Sequence, residues 1–185
     1  MKLILTFSII LGTSIFGIAA LLWKVGNAIE LVDGTTHFLN PPRFLGARAS
    51  QNGTYVWGAT YYFTIALPDN AGEALQKVVI TQESGFSRPL FDIKNVEVFE
   101  GEHGRLGHPL PIQKVILNSD SLMLTVLFEP PIPPGKTMTI RLYPVRNPSV
   151  AGTYLYGVTA FPVGERPYGQ FIGVGQIQIY DSNLE

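Results

Sequence analysis

An all-β fold, an immunoglobulin-like antiparallel β-sandwich of seven to nine strands, is predicted by three features of this sequence. Eight firm extended runs and one weaker one follow residue 33, separated by Gly, Pro and Asn. No internal stretch sustains the i, i+3, i+4 apolar spacing of a helix. The composition is 15% charged and 46% hydrophobic with 19 Gly and 14 Pro, which suits short strands and tight turns. An open barrel is the alternative closure of the same strands.

The chain opens differently. Lys2 precedes Leu3 to Trp23, an uncharged run of 21 residues expected to form a hydrophobic helix. Gly12, Thr13, Ser14 and Gly17 dilute its middle, and Gly17-Ile18-Ala19 and Gly26-Asn27-Ala28 supply small residues for a signal peptidase. Residues 1–28 are therefore expected to be a signal peptide or a membrane anchor spanning residues 3–23, and either places residues 29–185, one β-sandwich domain, outside the cytoplasm. Cleavage after Ala28 leaves 157 residues, long enough to bury roughly 70% of the unfolded chain's surface.

The strands follow in order. Thr35 to Leu39 is the weak run, and Thr60 to Leu67 and Gln76 to Gln82 are the next two. Between those two, Asp69 to Leu75 is the best helical turn in the chain, with Asp69 or Asn70 as cap. Val96 to Glu100 and Ile112 to Leu117 come next, and Asn118-Ser119-Asp120 turns the chain into Ser121 to Phe128. That strand is apolar on both faces (Leu122, Leu124, Val126 and Phe128 against Met123, Thr125 and Leu127), so a central position is expected. Pro130 to Gly135 holds four prolines and is expected to be a stiff surface crossing. Thr137 to Tyr143 alternates Met138, Ile140 and Leu142 with Thr137, Thr139 and Arg141, the period of a half-buried strand. Tyr154 to Phe161 and Gly175 to Tyr180 complete the set.

The block Val145-Arg146-Asn147-Pro148, then Gly152-Thr153-Tyr154-Leu155-Tyr156-Gly157-Val158-Thr159-Ala160-Phe161-Pro162-Val163-Gly164-Glu165, resembles a family of small exported cyanobacterial proteins known only as a domain of unknown function. Gly72 with Leu75-Gln76-Lys77, the Phe128-Glu129-Pro130-Pro131 run and Phe171-Ile172-Gly173-Val174-Gly175 match as well, so the resemblance covers about Asp33 to Tyr180. It implies a signal peptide and a periplasmic, cell-envelope or thylakoid-lumen setting, and it implies no activity. The hydrophobic segment here is longer than that family's pattern.

Composition excludes several function classes. Without Lys2 and Lys24 the domain carries 11 basic against 14 acidic residues, which is not the footprint of a nucleic-acid binder. No polybasic patch is present for anionic lipid, so membrane contact is expected only through the N-terminal segment. The chain has no cysteine, which rules out disulfides, thiolate metal sites and a cysteine nucleophile.

Three sets of residues offer chemistry beside plainer roles. His103 and His108, in Glu100-Gly101-Glu102-His103-Gly104-Arg105-Leu106-Gly107-His108, provide imidazoles beside carboxylates, the alternative being a periplasmic metal-binding protein. Their spacing of five fits no helix face, and a solvated hairpin loop is the plainer expectation. Asp92, Glu97 and Glu100 are the carboxylates a glycosidase needs, though strand-face charges are the commoner role. Ser84 and Ser87 lie near Glu83 without a nucleophile elbow. No cofactor is expected. Gly173 and Gly175 lie in an extended run where glycine relieves crowding or makes a bulge. Asn52-Gly53 reads as a type I′ turn.

The aromatic residues are the most unusual feature. Tyr55, Trp57, Tyr61, Tyr62 and Phe63 form one cluster, and Tyr154, Tyr156, Phe161, Tyr168 and Phe171 another. In a sandwich many fill the core, and alternate members face outward. Trp57, Tyr61, Arg146, Asn147, Tyr154, Tyr156, Arg166 and Tyr168 are the candidate binding residues, suited to stacking on a sugar or meeting a protein. The plainer role for Asn147 is to satisfy backbone groups of its own turn. The function expected is a non-catalytic exported binding or structural module of the envelope, with an envelope protein or a glycan as partner.

Overall fold

A computed structural model describes residues 29–30 and 34–182. The expected N-terminal helix and its signal or anchor role lie outside the described residues. Twelve strands are present among the described residues, more than the seven to nine expected: β1 (Ile29–Glu30), β2 (Thr36–His37), β3 (Arg43–Ala49), β4 (Tyr61–Ala66), β5 (Leu75–Ser84), β6 (Glu97–Glu102), β7 (Arg105–Pro109), β8 (Ile112–Asn118), β9 (Met123–Ile132), β10 (Thr137–Leu142), β11 (Gly152–Pro162) and β12 (Gln170–Ile179). Two five-stranded antiparallel sheets, ordered β3-β4-β10-β6-β7 and β12-β11-β5-β9-β8, face each other, and β1 pairs with β2. No helix occurs among the described residues.

The core is the inward half of each alternating strand. Met138, Ile140 and Leu142 of β10 join Tyr61, Phe63 and Ile65 of β4 against Val78, Ile80, Leu124, Val126, Tyr154, Tyr156 and Ile177 of the opposite sheet, all at most 2% exposed. On the outward side of β10, Thr139 is also fully buried; its hydroxyl meets Thr64 Oγ1 at 3.1 Å and donates to the Gly101 carbonyl at 2.8 Å. β9 is paired on both sides, by β5 and β8, as its two apolar faces require.

Along one edge the sheets nearly touch. A Cβ on Gly175 would sit 2.6 Å from Ala47 Cβ and 3.0 Å from Phe44 Cζ, so only glycine lets β12 lie this close to β3. The β11–β12 ladder also slips near Gly173, where Val158 pairs with Gly173 and Thr159 with Phe171. The run between Phe171 and Gly175 thus serves both roles expected of its glycines.

Several expectations are corrected. The segment Asp69 to Leu75 forms a turn, with Ala71 N–H bonded to the Pro68 carbonyl, and passes into β5; Gly72, at φ +84°, cannot continue a helix. The prolines do not all lie in a crossing: Pro130, Pro131 and Ile132 end β9. They fit because the β5–β9 ladder breaks between Leu75 and Lys77, where Gln76 Nε2 donates to the Phe128 carbonyl in place of a backbone group. The Asn52-Gly53 pair makes no type I′ turn, since neither residue has positive φ. Asn52 Nδ2 instead donates to the Gln178 carbonyl at 2.6 Å, and Gly53 bridges Tyr180.

Candidate functional site

Three connections converge at the end of the sandwich where β4 begins and β10 stops: residues 50–60, 85–96 and 143–151. Backbone bonds knit them together. Val145 N–H donates to Leu90 O and Asp92 N–H to Tyr143 O, both at 2.8 Å, while Asn147 N–H donates to Val56 O at 2.8 Å and Tyr55 N–H to Pro148 O at 3.1 Å. The 143–148 segment is thus a central strip held by one loop on each side, and loops tied this way are rigid.

Asn147 is the rivet of this assembly. It is 2% exposed. Its Nδ2 donates to the carbonyls of Gln51 at 3.0 Å and Gly53 at 2.9 Å, and its Oδ1 accepts the Tyr61 hydroxyl at 3.1 Å. The role expected of it, satisfying backbone groups, is present, but the groups belong to a loop more than ninety residues away. Beneath it, Tyr61, Phe63, Phe91 and Tyr156 pack edge to face at centroid distances of 5.6–6.5 Å. Burial pushes the phenol pKa of Tyr61 and of Tyr156 up.

Above the rivet the surface is aromatic, apolar and basic. The Arg146 guanidinium lies 5.0 Å from the Tyr55 ring centroid and 5.6 Å from that of Trp57, within cation–π range. Trp57 is 66% exposed, and Phe86 and Leu90 of the neighbouring loop are 77% and 66% exposed. A groove of about 300 Å³ runs between Trp57, Arg88, Leu90, Val145 and Arg146, with Asn147 at its base. Tyr55 holds φ +59°, a left-handed conformation that a side chain of this size adopts at a cost.

The structure divides the eight expected binding residues. Trp57, Arg146 and Asn147 come together at this end. Tyr61, Tyr154 and Tyr156 do not present a surface: they are at most 1% exposed and fill the core, because inward positions of β4 and β11 fall on them. Tyr154 OH donates to the Val150 carbonyl at 2.7 Å and so braces the same loop from below. Arg166 and Tyr168 lie at the opposite end, beyond the far terminus of β11, roughly 35 Å away by strand rise. There Tyr168 stacks on His37 at 4.5 Å, and Pro167 bridges Thr36. Sequence reasoning missed Tyr55's role as a partner of Arg146, and Phe86, Arg88 and Leu90 altogether; no local pattern marks a loop that folds beside another.

The alternative chemistries lose their geometry. His103 sits at the β6–β7 turn with its ring 4.3 Å from that of Tyr62, while His108 lies along β7, on the order of 15 Å further by strand rise. The segment is a paired hairpin for most of its length, which holds the two imidazoles apart. Among the described residues no three His, Asp or Glu side chains gather. Each candidate carboxylate is engaged: Asp92 accepts from Lys94 N–H and Asn95 Nδ2, Glu97 accepts from the Tyr143 hydroxyl and forms an ion pair with Arg141, and Glu100 accepts from Lys136 Nζ at 2.6 Å. Burial and the bond to Glu97 push the Tyr143 phenol up to about 12. Ser87 Oγ lies 3.0 Å from Tyr154 OH, the other partner of a core brace.

Several solved structures are similar to this chain, three of them as follows. The collagen-binding subdomain of the Enterococcus faecalis surface protein ACE has a TM-score of 0.44 at 8% identity, over 75% of this chain and 98% of that one. The bacterial hydrophobin BslA has 0.44 at 16%, over 77% and 98%. The major pilin subunit BcpA of Bacillus cereus has 0.47 at 10%, over 77% of this chain and 41% of that one. No curated protein matches the sequence. The family model described as "Protein of unknown function (DUF2808)" matches residues 35–179.

Proposed function

We propose that this chain, which belongs to the DUF2808 family of proteins of unknown function, is an exported, non-catalytic binding module of the cell envelope built on an immunoglobulin-like sandwich. It meets an envelope component through the end that carries Trp57. The observation that carries the proposal is the Tyr55–Arg146–Trp57 stack, exposed to solvent on a base riveted by Asn147. Aromatic and arginine side chains are the types that dominate contact energies at interfaces. Here they stand on loops tied by backbone bonds, so little ordering is lost on binding. A residue in a costly backbone conformation, Tyr55, sits in the same stack, which supports a role beyond folding. Export rests on the hydrophobic segment Leu3 to Trp23.

The test is photo-crosslinking in intact cells, with p-benzoylphenylalanine in place of Trp57 or Val145, and in place of Lys114 on the edge strand β8 as control. Adducts from the two rim positions and none from position 114 are expected. A rim that yields no adduct, or no more than the control, overturns the proposal.

A further inference from the structure

We infer that the Trp57 end docks on an anionic lipid surface, with Arg88 and Arg146 taking headgroup anions and the apolar loop tips entering the acyl boundary. This rests on the proposal that this end is the contact end, and it names the partner; it departs from the expectation of membrane contact through the N-terminal segment alone, because the fold brings Arg88 and Arg146, distant in sequence, to one groove. The first support is the kind of side chain exposed. Phe86 is 77%, Leu90 66%, Trp57 66%, Val145 48% and Val150 43% exposed, and all lie on three adjoining connections. Monomeric proteins rarely leave such a patch in water unless it meets something. Aromatic and aliphatic tips beside basic residues are the composition of groups that lie in a bilayer interface.

Charge complementarity is the second support. Both charged residues lining the groove are arginines, on a chain whose net charge is −1. Residues 50–60, 85–96 and 143–151 hold one carboxylate, Asp92, which is already bonded to Lys94 N–H and Asn95 Nδ2. A second copy meeting this end with the same end of its own would set guanidinium against guanidinium. An acidic glycan accounts for the arginines and the indole, yet leaves Phe86, Leu90 and Val150 in water. A lipid surface engages both the charges and the apolar tips. The backbone bonds from Val145 to Leu90 and from Asn147 to Val56 tie the three connections together, so their backbone is already ordered before contact.

The chain has two tryptophans, so Trp23→Phe leaves Trp57 as the sole fluorophore of its kind. The full chain carrying that substitution is mixed with vesicles of phosphatidylcholine, with or without phosphatidylglycerol as a minority lipid. The readout is Trp57 itself, since residues 1–28 can bring the chain to vesicles without this end touching them. A blue shift of Trp57 emission, with quenching by phosphatidylcholine brominated on its acyl chains and present in both vesicles, is expected only when the anionic lipid is present. Arg88→Gln with Arg146→Gln should weaken that response about thirty-fold, the effect of two basic residues near an anionic surface. Phe86→Ser with Leu90→Ser should remove the quenching while the circular dichroism of the fold persists. Trp57 emission unchanged by either vesicle, or quenched equally without anionic lipid, overturns the inference. If Trp57 ignores vesicles but the crosslinks at positions 57 and 145 still form, the lipid partner falls and the contact end stands. If both fail, both fall.

Discussion

Tyr61 donates its hydroxyl to Asn147 Oδ1 at 3.1 Å, joining the first residue of a core strand to a loop residue that lies 86 positions later. The same Asn147 amide serves the carbonyls of Gln51 and Gly53, so one buried side chain fixes two connections over one phenol. Replacing it with Ala strands a buried hydroxyl and two carbonyls, at a cost of about 2–4 kcal/mol. Asn147→Ala should therefore lower the thermal midpoint by roughly 5–15 °C for a domain of this size. Tyr61→Phe removes one partner and leaves Asn147 its two carbonyl bonds, so its penalty should be near 1 kcal/mol. Calorimetry of both variants checks the order, and equal penalties would remove Asn147 from its central place.

The buried phenols make the fold sensitive to alkali. Burial raises the pKa of Tyr61 and Tyr156 above the usual 10, and burial with the Glu97 bond raises Tyr143 to about 12. The unfolded chain releases these protons near pH 10, before the folded chain does. The stability they contribute is thus complete below pH 10 and is lost as pH rises from there through the raised folded values. Phenolate absorbance at 295 nm should show a late step that coincides with the loss of near-ultraviolet circular dichroism. In Tyr61→Phe that step should shrink. A late step that precedes unfolding would mean that these phenols reach solvent in the native state.

Gly175 is where the two sheets can be prised apart. A Cβ there meets Ala47 Cβ at 2.6 Å and the Phe44 ring at 3.0 Å. Gly175→Val should cost at least the 1–3 kcal/mol typical of an overpacked core, about 2–10 °C in midpoint. Gly175→Val combined with Phe44→Ala should recover part of the loss, because the ring is one of the two obstacles. No recovery in the double variant would place the crowding elsewhere.

Alternation was legible in the sequence of β10, whose ladders run unbroken, and not in β3, whose ladder slips in mid-strand. In β10 the residues Met138, Ile140 and Leu142 stay in register with β4 from end to end, so period two survives in the sequence. In β3 the ladder slips between Phe44 and Gly46, so the half-buried Phe44 and Ala47 lie an odd number of residues apart and the alternation vanishes. The strand was missed for that reason. β7, with Gly107 and four exposed positions, offers no apolar pattern at all. The candidate site was legible only in part. Trp57, Arg146 and Asn147 are conspicuous residue types, but Arg88 and Leu90, which line the same groove, belong to a loop brought alongside by the crossing from β5 to β6. Arg146 and Arg166 flank one aromatic-rich block of the sequence. The strand between them, β11, sends them to opposite ends.

Tyr55 should separate folding from binding. Its left-handed backbone costs about 1–2 kcal/mol for a side chain with a Cβ, and glycine would be spared that cost. Glycine in turn loosens the unfolded chain by about 0.4–1 kcal/mol, and the ring's contact with Arg146 is worth about 0.5–1 kcal/mol at an exposed site. These effects nearly cancel, so Tyr55→Gly should leave the thermal midpoint within about 3 °C of the parent. It removes one of the two rings against Arg146, however, and frees the guanidinium to move away from Trp57. Crosslinking from position 145 and the response of Trp57 to anionic vesicles should both weaken in this variant. A residue kept for folding alone would behave oppositely, with a midpoint lowered by more than about 5 °C and crosslinking intact.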